Sequence, residues 1–167
     1  PAVAPAAGLE ARAKALGYQV VFFDPYLPSG AEKAVGVRRS DTLEALLAES
    51  DLLSLHCPLT EETRHLVREE TIARMKPGAY LINTARGPVA HNGDVVAALK
   101  SGRLAGAGLD VVEVEPNPDP ELVRCPNMLV TCHAAYCSRE SVIELHEKAC
   151  RLALAALAGK PLWNVVG

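Results

Sequence analysis

The sequence predicts an α/β fold in which a parallel β-sheet is covered by helices on both faces. Two observations carry this. Short apolar, β-forming stretches alternate with helix-forming stretches of about ten residues, and Gly or Pro punctuates the short joints between them. A third is scale: 167 residues lies close to one domain at roughly 150 residues per domain, enough to bury a core.

Residues 9–16 (Leu-Glu-Ala-Arg-Ala-Lys-Ala-Leu) are strong helix formers that stop at Gly17, a residue suited to the position after a helix. Residues 19–23 (Gln-Val-Val-Phe-Phe) favour a strand and end at Asp24-Pro25, where proline cannot donate to a ladder. Ser40-Asp41-Thr42 opens a capped helix that continues through residue 48, and 52–55 is a short apolar strand broken at Cys57-Pro58. A helix over 71–75 closes at Lys76-Pro77-Gly78. Residues 79–82 then form a strand that leads into Asn83-Thr84-Ala85-Arg86-Gly87-Pro88. A helix over 94–99 stops at Ser101-Gly102, 104–109 is small and apolar as a strand buried on both faces is, and 128–131 is the last strand. Ser138 caps a long helix that reaches residue 158 and ends at Gly159-Lys160-Pro161. The chain has no internal repeat and no linker of disordered composition.

Composition narrows the function. Seventeen basic against twenty acidic residues leave a net charge of −3, so no basic field attracts phosphate backbones or anionic membranes. With 22% charged and 49% apolar residues the balance is that of a globular chain. Apolar runs fall far short of the ~20 residues that span a bilayer, and the Ala/Pro-rich start has no basic segment before an apolar one. The reading is a soluble chain without a secretion signal of its own, and without membrane or direct nucleic-acid partners. The five cysteines are odd in number and form no C-x-x-C pair, which points to reduced thiols in an intracellular compartment. Cys125, Cys132, His133 and Cys137 match no common zinc-ligand spacing, so no metal site is expected.

In a parallel sheet of this kind ligands sit at the carboxyl ends of the strands. The residues there are Asp24, His56-Cys57-Pro58, Asn83-Thr84-Ala85-Arg86-Gly87, Asp110 with Glu113 and Glu115, and His133. One Arg, one His and several carboxylates on a single edge make a candidate acid–base site.

These residues also carry a resemblance. Asn83-Thr84-Ala85-Arg86-Gly87, then Gly106-Ala107-Gly108-Leu109-Asp110-Val111 with Glu115-Pro116, then Thr131-Cys132-His133-Ala134 resemble, in order and spacing, the signature of NAD-dependent D-isomer-specific 2-hydroxyacid dehydrogenases. Phe23-Asp24-Pro25-Tyr26, His56-Cys57 and His133-Ala134-Ala135 most resemble the C-terminal binding protein branch, whose members are dehydrogenase-like transcriptional corepressors. The resemblance runs from about Gly8 to the end of the chain. It implies a Rossmann-like doubly wound parallel sheet, NAD as cofactor, and hydride transfer between 2-hydroxy acids and 2-oxo acids. It also implies a homodimer in the cytoplasm, or alternatively an NAD(H)-sensing corepressor or scaffold with transcription-factor partners in the nucleus.

Each position has a physical reading beside the family one. Asp24 at a strand end can accept hydrogen bonds from both ribose hydroxyls, and its charge would repel a 2′-phosphate, favouring NAD over NADP; a plain Asp-Pro turn is the alternative. The Arg86 guanidinium suits two-pronged binding of a carboxylate, and in the family this arginine binds substrate and orients the 2-oxo group; a surface Arg at a helix start is the other reading. His133 can protonate a carbonyl oxygen or take a hydroxyl proton at neutral pH. Glu115, 18 residues before it, resembles the glutamate that holds this imidazole; a solvated Glu and a structural His are the alternatives. Asp110 resembles the residue that contacts the nicotinamide carboxamide. His56, Cys57, Thr84, Ala85 and also His133 match positions that line the cofactor, and all of these also suit strand-end turns. Tyr136 stands in the substrate region where the corepressor branch carries tryptophan. His65, His91 and His146 lack context and are read as surface or helix residues.

Some features depart from the pattern. The family's G-x-G-x-x-G loop aligns with Pro1-Ala2-Val3-Ala4-Pro5-Ala6, which holds no glycine. The strand before that loop is missing too. Without these glycines the phosphate cradle is lost, and the chain alone is expected to hold NADH weakly. The expectation is a truncated or divergent chain: residues 1–158 a partial dinucleotide-binding domain lacking its first strand and glycine loop, and 159–167 a segment leading toward a substrate domain that the chain lacks. Cys132 replaces the usual proline, and His91-Asn92 replace an acidic pair.

Overall fold

Apolar runs bounded by Gly, Pro or Asp become parallel strands, and the segments between them become the helices that cross from one strand to the next. The computed structural model describes residues 7–163. Helix α1 spans Ala7–Ala15, β1 Val21–Phe22, α2 Ala31–Val35, β2 Arg38–Arg39, α3 Leu43–Glu49 and β3 Leu52–Leu55. They are followed by α4 Glu69–Ile72, β4 Ala79–Asn83, a 3-10 turn at Gly87–Val89, α5 Asn92–Lys100 and β5 Leu104–Leu109. The last elements are α6 Pro120–Arg124, β6 Met128–Val130 and α7 Arg139–Leu157.

Strands β3-β4-β5-β6 form one sheet in that order, every pair parallel. Leu53, Leu81, Ala107 and Met128 stand in register across it. Burial alternates along β3 and β4, while β5 is buried or half-buried throughout, as expected of a central parallel strand with helices on both faces. The core is built from Leu53, Leu55, Leu81, Leu104 and Leu109 of the strands with Leu47, Ile72, Val95, Leu99 and Leu122 of the helices. A fully buried leucine such as Leu81 contributes about 1.5–3 kcal/mol through removal of apolar surface from water.

Strands β1 and β2 pair in parallel as a separate two-stranded sheet. Among the described residues no strand joins the two sheets; positions 1–6, where the sequence reading places the altered glycine loop, lie outside the described residues, as do 164–167 of the expected trailing segment. Compact units can be drawn on either side of one boundary, the first ending at His133 and the second beginning at Ala134. In the second, Ser138 caps α7 as expected: its Oγ accepts from Ser141 N at 3.0 Å and Ser141 Oγ accepts from Ser138 N at 2.8 Å.

Several boundaries differ from the sequence reading. The first strand is two residues rather than five, and the helix read over 71–75 begins earlier, at Glu69. Its start is set by Thr71 Oγ1, which accepts from Arg68 N at 2.8 Å, and by Asp94 of α5, whose Oδ2 accepts from Glu69 N at 2.9 Å. The second contact spans 25 residues and is invisible to local pattern. All five cysteines are free thiols. No helix among the described residues is long and apolar enough to cross a membrane.

Candidate active site at the carboxyl ends of the strands

Because the strands of each sheet are parallel, the residues that follow them emerge along one edge. After β4 the chain turns on Asn83, which is fully buried. Its Oδ1 accepts from Ala85 N and its Nδ2 donates to Arg86 O, both at 3.0 Å. These two bonds replace the ladder that the chain gives up on leaving the sheet, and they carry Arg86 outward with extended backbone and an exposed side chain. The Arg86 guanidinium donates to Ala85 O at 2.7 Å. In the sequence Asn83 stands as the opening residue of the motif at the β4 exit with no role of its own, although an Asn closing a strand before a loop is a turn signal.

The next residue fixes where this loop sits. A Cβ on Gly87 would lie 1.9 Å from Val112 O and 2.2 Å from Val112 C, so only glycine lets the arginine loop press against the turn after β5. That turn carries Asp110 and Glu115. Asp110 is buried; its N–H donates to Asn83 O at 2.9 Å and its Oδ1 accepts from Thr131 Oγ1 at 2.5 Å. The exits of β4, β5 and β6 are thus tied to one another.

His133 follows β6 with its N–H on Asp110 O at 2.8 Å and a backbone φ of 54°, an uncommon left-handed conformation for a residue other than glycine. The ring Nδ1 stands 2.8 Å from Glu115 Oε2, and Glu115 Oε1 accepts from Val112 N at 3.0 Å. The His133 contact, reinforced by the Val112 N–H, holds the Glu115 carboxyl below its ordinary pKa. A carboxylate at Nδ1 orients the ring and assigns proton exchange to Nε2.

On the other side of Arg86, a crevice of about 600 Å³ is lined by His56, Cys57, Pro58, Leu59, Thr84, Ala85 and Arg86. Ser54 Oγ meets His56 Nε2 at 2.8 Å, and desolvation lowers the His56 pKa. Burial pushes the Cys57 thiol up, and the Asp24 carboxylate adds to the rise, which puts Asp24 within electrostatic reach of this crevice. Asp24 itself folds into a turn, its Oδ1 accepting from Tyr26 N at 2.9 Å and its carbonyl accepting from the Arg39 guanidinium. Tyr26 OH donates to Glu62.

The structure therefore gathers Arg86, Asp110, Glu115 and His133 through shared turns, and His56, Cys57, Thr84, Ala85 and Arg86 around one crevice. Tyr136 belongs to the second unit, where it is exposed just before α7 and its carbonyl accepts from Ser141 Oγ at 2.6 Å. One reading is corrected. His65 and His91 are half-buried and partnered rather than plain surface residues: His65 Nε2 pairs with Glu113 Oε1 at 2.7 Å, and His91 Nδ1 with Asp94 Oδ1 at 2.9 Å. Partners 48 residues apart meet only through the fold. His146 lies exposed on α7, as read.

Comparison with known proteins follows the same lines. Residues 6–135 match the family model described as the D-isomer specific 2-hydroxyacid dehydrogenase, NAD binding domain. Over 161 residues the chain is 42% identical to glyoxylate reductase of Korarchaeum cryptofilum, covering 96% of this chain and 48% of that protein. Over 152 residues it is 37% identical to C-terminal-binding protein 1 of Caenorhabditis elegans, covering 89% of this chain and 21% of that protein. The holo form of Rhodotorula graminis D-mandelate dehydrogenase superposes with a TM-score of 0.84 at 38% identity, over 95% of this chain and 46% of that one. The chain spans about half the length, or less, of the relatives it matches.

Proposed function

The chain belongs to the D-isomer specific 2-hydroxyacid dehydrogenase family, matching its NAD-binding domain, and from that premise we propose that it serves the NAD-dependent interconversion of a small 2-hydroxy acid and its 2-oxo acid. The observation that carries the reading is the pairing of Glu115 with His133 on a turn pressed against the loop of Arg86. The residues suit the cofactor: a carboxylate, Asp24, at a strand exit matches a ribose diol, and the crevice between the β3 and β4 exits is bordered by His56, Cys57, Thr84 and Ala85. Bound there, NADH would supply the hydride that reduces the 2-oxo carbon. Asp24 would hold the ribose, and Asp110, fixed by Thr131, would face the carboxamide end. Arg86 would bind the substrate carboxylate through two parallel hydrogen bonds and orient the 2-oxo group. His133 Nε2 would give its proton to the carbonyl oxygen, and Glu115 would stabilise the imidazolium that holds that proton beforehand. In the reverse direction the same nitrogen would take the hydroxyl proton. Tyr136 would shape the substrate region.

Residues 1–158 would form the dinucleotide-binding part and 159–167 the path toward a substrate domain, in a cytoplasmic homodimer. The experiment is loss of NADH absorbance in the protein that carries this chain, against a panel of 2-oxo acids. Turnover with at least one acid is the expected result, and no oxidation with any of them would end the enzyme reading.

The likeness to C-terminal-binding protein 1 and the Phe23-Asp24-Pro25-Tyr26 stretch favour a second reading, an NAD(H)-sensing scaffold with transcription-factor partners in the nucleus. Sedimentation with and without NADH separates the two: a scaffold changes its assembly state with cofactor.

A further inference from the structure

The turn that carries Glu115 is fastened by a second carboxylate two residues earlier. Glu113 Oε1 meets His65 Nε2 at 2.7 Å, and Glu113 Oε2 accepts from Asn92 N, the first residue of α5, at 2.7 Å. The Glu113 side chain is 24% exposed and that of His65 35%, so both bonds are shielded more than an ordinary surface pair. A negative charge at the start of a helix is stabilised by the unpaired N–H groups there.

The anchor points are themselves braced. His65 sits at a φ of 51° with its N–H on Pro88 O at 2.8 Å, so its segment is bound to the arginine loop. Its ring packs edge-on against His91 with centroids 4.9 Å apart, and His91 pairs with Asp94. Burial works to raise the Asp94 carboxyl, but the Glu69 N–H and the His91 contact outweigh it and hold it below the ordinary range. Glu113 thus joins three segments: the one after β3, the start of α5 behind the arginine loop, and the turn after β5.

We propose that Glu113 is a positioning residue for the Glu115–His133 pair: by tying its turn to His65 and to Asn92 N it fixes the direction in which Glu115 reaches for His133 Nδ1. The inference rests on the reading of that pair as the acid–base element. Glu115 is exposed, and its carboxylate accepts from Val112 N and faces His133 Nδ1. Val112 belongs to the same turn, so its N–H moves with that turn and cannot by itself aim Glu115. What aims it is whatever holds the turn. The β5 ladder ends at Leu109, Asp110 at the start of the turn is bonded to Thr131, Gly87 presses on one side at Val112, and Glu113 supplies a second side-chain tether, two residues from Glu115.

The test is ¹⁵N NMR of the His133 ring in the protein that carries this chain, under alkaline conditions in which the spectrum reports which nitrogen carries the proton. In the parent chain the proton is on Nδ1, because a carboxylate can only accept. In Glu113→Ala the Nε2–H form becomes the larger share. His65→Asn, whose side chain tolerates the left-handed backbone, removes one tether and gives a smaller change in the same direction; it carries the test should Glu113→Ala fail to fold. A purely structural Glu113 would lower the melting temperature and leave the tautomer on Nδ1, and that result in either folded variant overturns the proposal. Nε2–H in the parent chain would instead strike the acid–base reading itself, so the two failures are told apart without NADH.

Discussion

The exits of β4, β5 and β6 and the exits of β1 and β2 would, in the proposed function, both present side chains to a ligand, yet they are built differently. The first group rests on a four-stranded sheet with Leu81, Leu104 and Leu109 buried beneath it, and every turn is bonded to the next through Asn83, Asp110 and Thr131. The second rests on a pair of two-residue strands whose residues are at best half-buried, with Asp24 held by its own turn and by Arg39. Proton and carboxylate chemistry requires groups placed within fractions of an ångström. Recognition of a ribose by one carboxylate tolerates more movement. In the proposed function the densely bonded region would carry the reacting groups and the lighter region a binding group.

That contrast can be broken in order of expected effect. Replacing the proposed proton carrier by His133→Asn, which keeps a residue suited to a positive φ, is expected to lower kcat by about 10²–10⁴-fold, the usual worth of a positioned general acid; NADH affinity, read by fluorescence titration, is expected to stay within about twofold, because the change touches no recognition of the ribose. Gly87→Ala forces a methyl onto Val112 O and costs about 1–3 kcal/mol of stability by overpacking, read as a lower urea midpoint, with a raised KM for the 2-oxo acid as Arg86 is displaced. In the lighter region, Asp24→Ala weakens NADH binding about tenfold, equivalent to one charge-assisted hydrogen bond of about 1.5 kcal/mol, and leaves the urea midpoint nearly unchanged. A large loss of stability in Asp24→Ala would erase the distinction between the regions.

The smallest effect is in pH. Glu115 is held below its ordinary value of 4.5 in the folded chain. A group with a depressed folded pKa contributes stability above its unfolded pKa and loses it as pH falls through the folded value. The stability of the parent chain therefore drops more steeply below about 4.5 than that of Glu115→Gln, which denaturation series across that range would resolve. The difference stays small because both partners are well exposed to solvent.

What could be read in advance follows the same division. Strands Leu52–Leu55 and Leu104–Leu109 stand where their apolar runs put them: β5 is buried or half-buried throughout and leaves a continuous signal, while in β3 the signal comes from Leu53 and Leu55 on the buried face. The α2 and β2 elements have no such signal: α2 is a five-residue turn between Gly30 and Gly36, both in left-handed conformation, and β2 is Arg38–Arg39. Helix α6 did carry one, since Asp119 caps it and Pro120 occupies its first position, but five residues show no periodicity. Arg86, Glu115 and His133 were legible because each follows a strand in a motif of fixed order. The pairing of Glu113 with His65 was not, since those partners lie 48 residues apart, whereas the Asn83 side chain bonds Ala85 and Arg86 close by and carried a turn signal of its own.

Isotope transfer is the most direct test of hydride transfer to the 2-oxo carbon. With NADH carrying deuterium at the transferable position and a 2-oxo acid as acceptor, deuterium is expected at C2 of the 2-hydroxy acid formed by the protein that carries this chain. Product without deuterium at C2, or none with any 2-oxo acid, would contradict it.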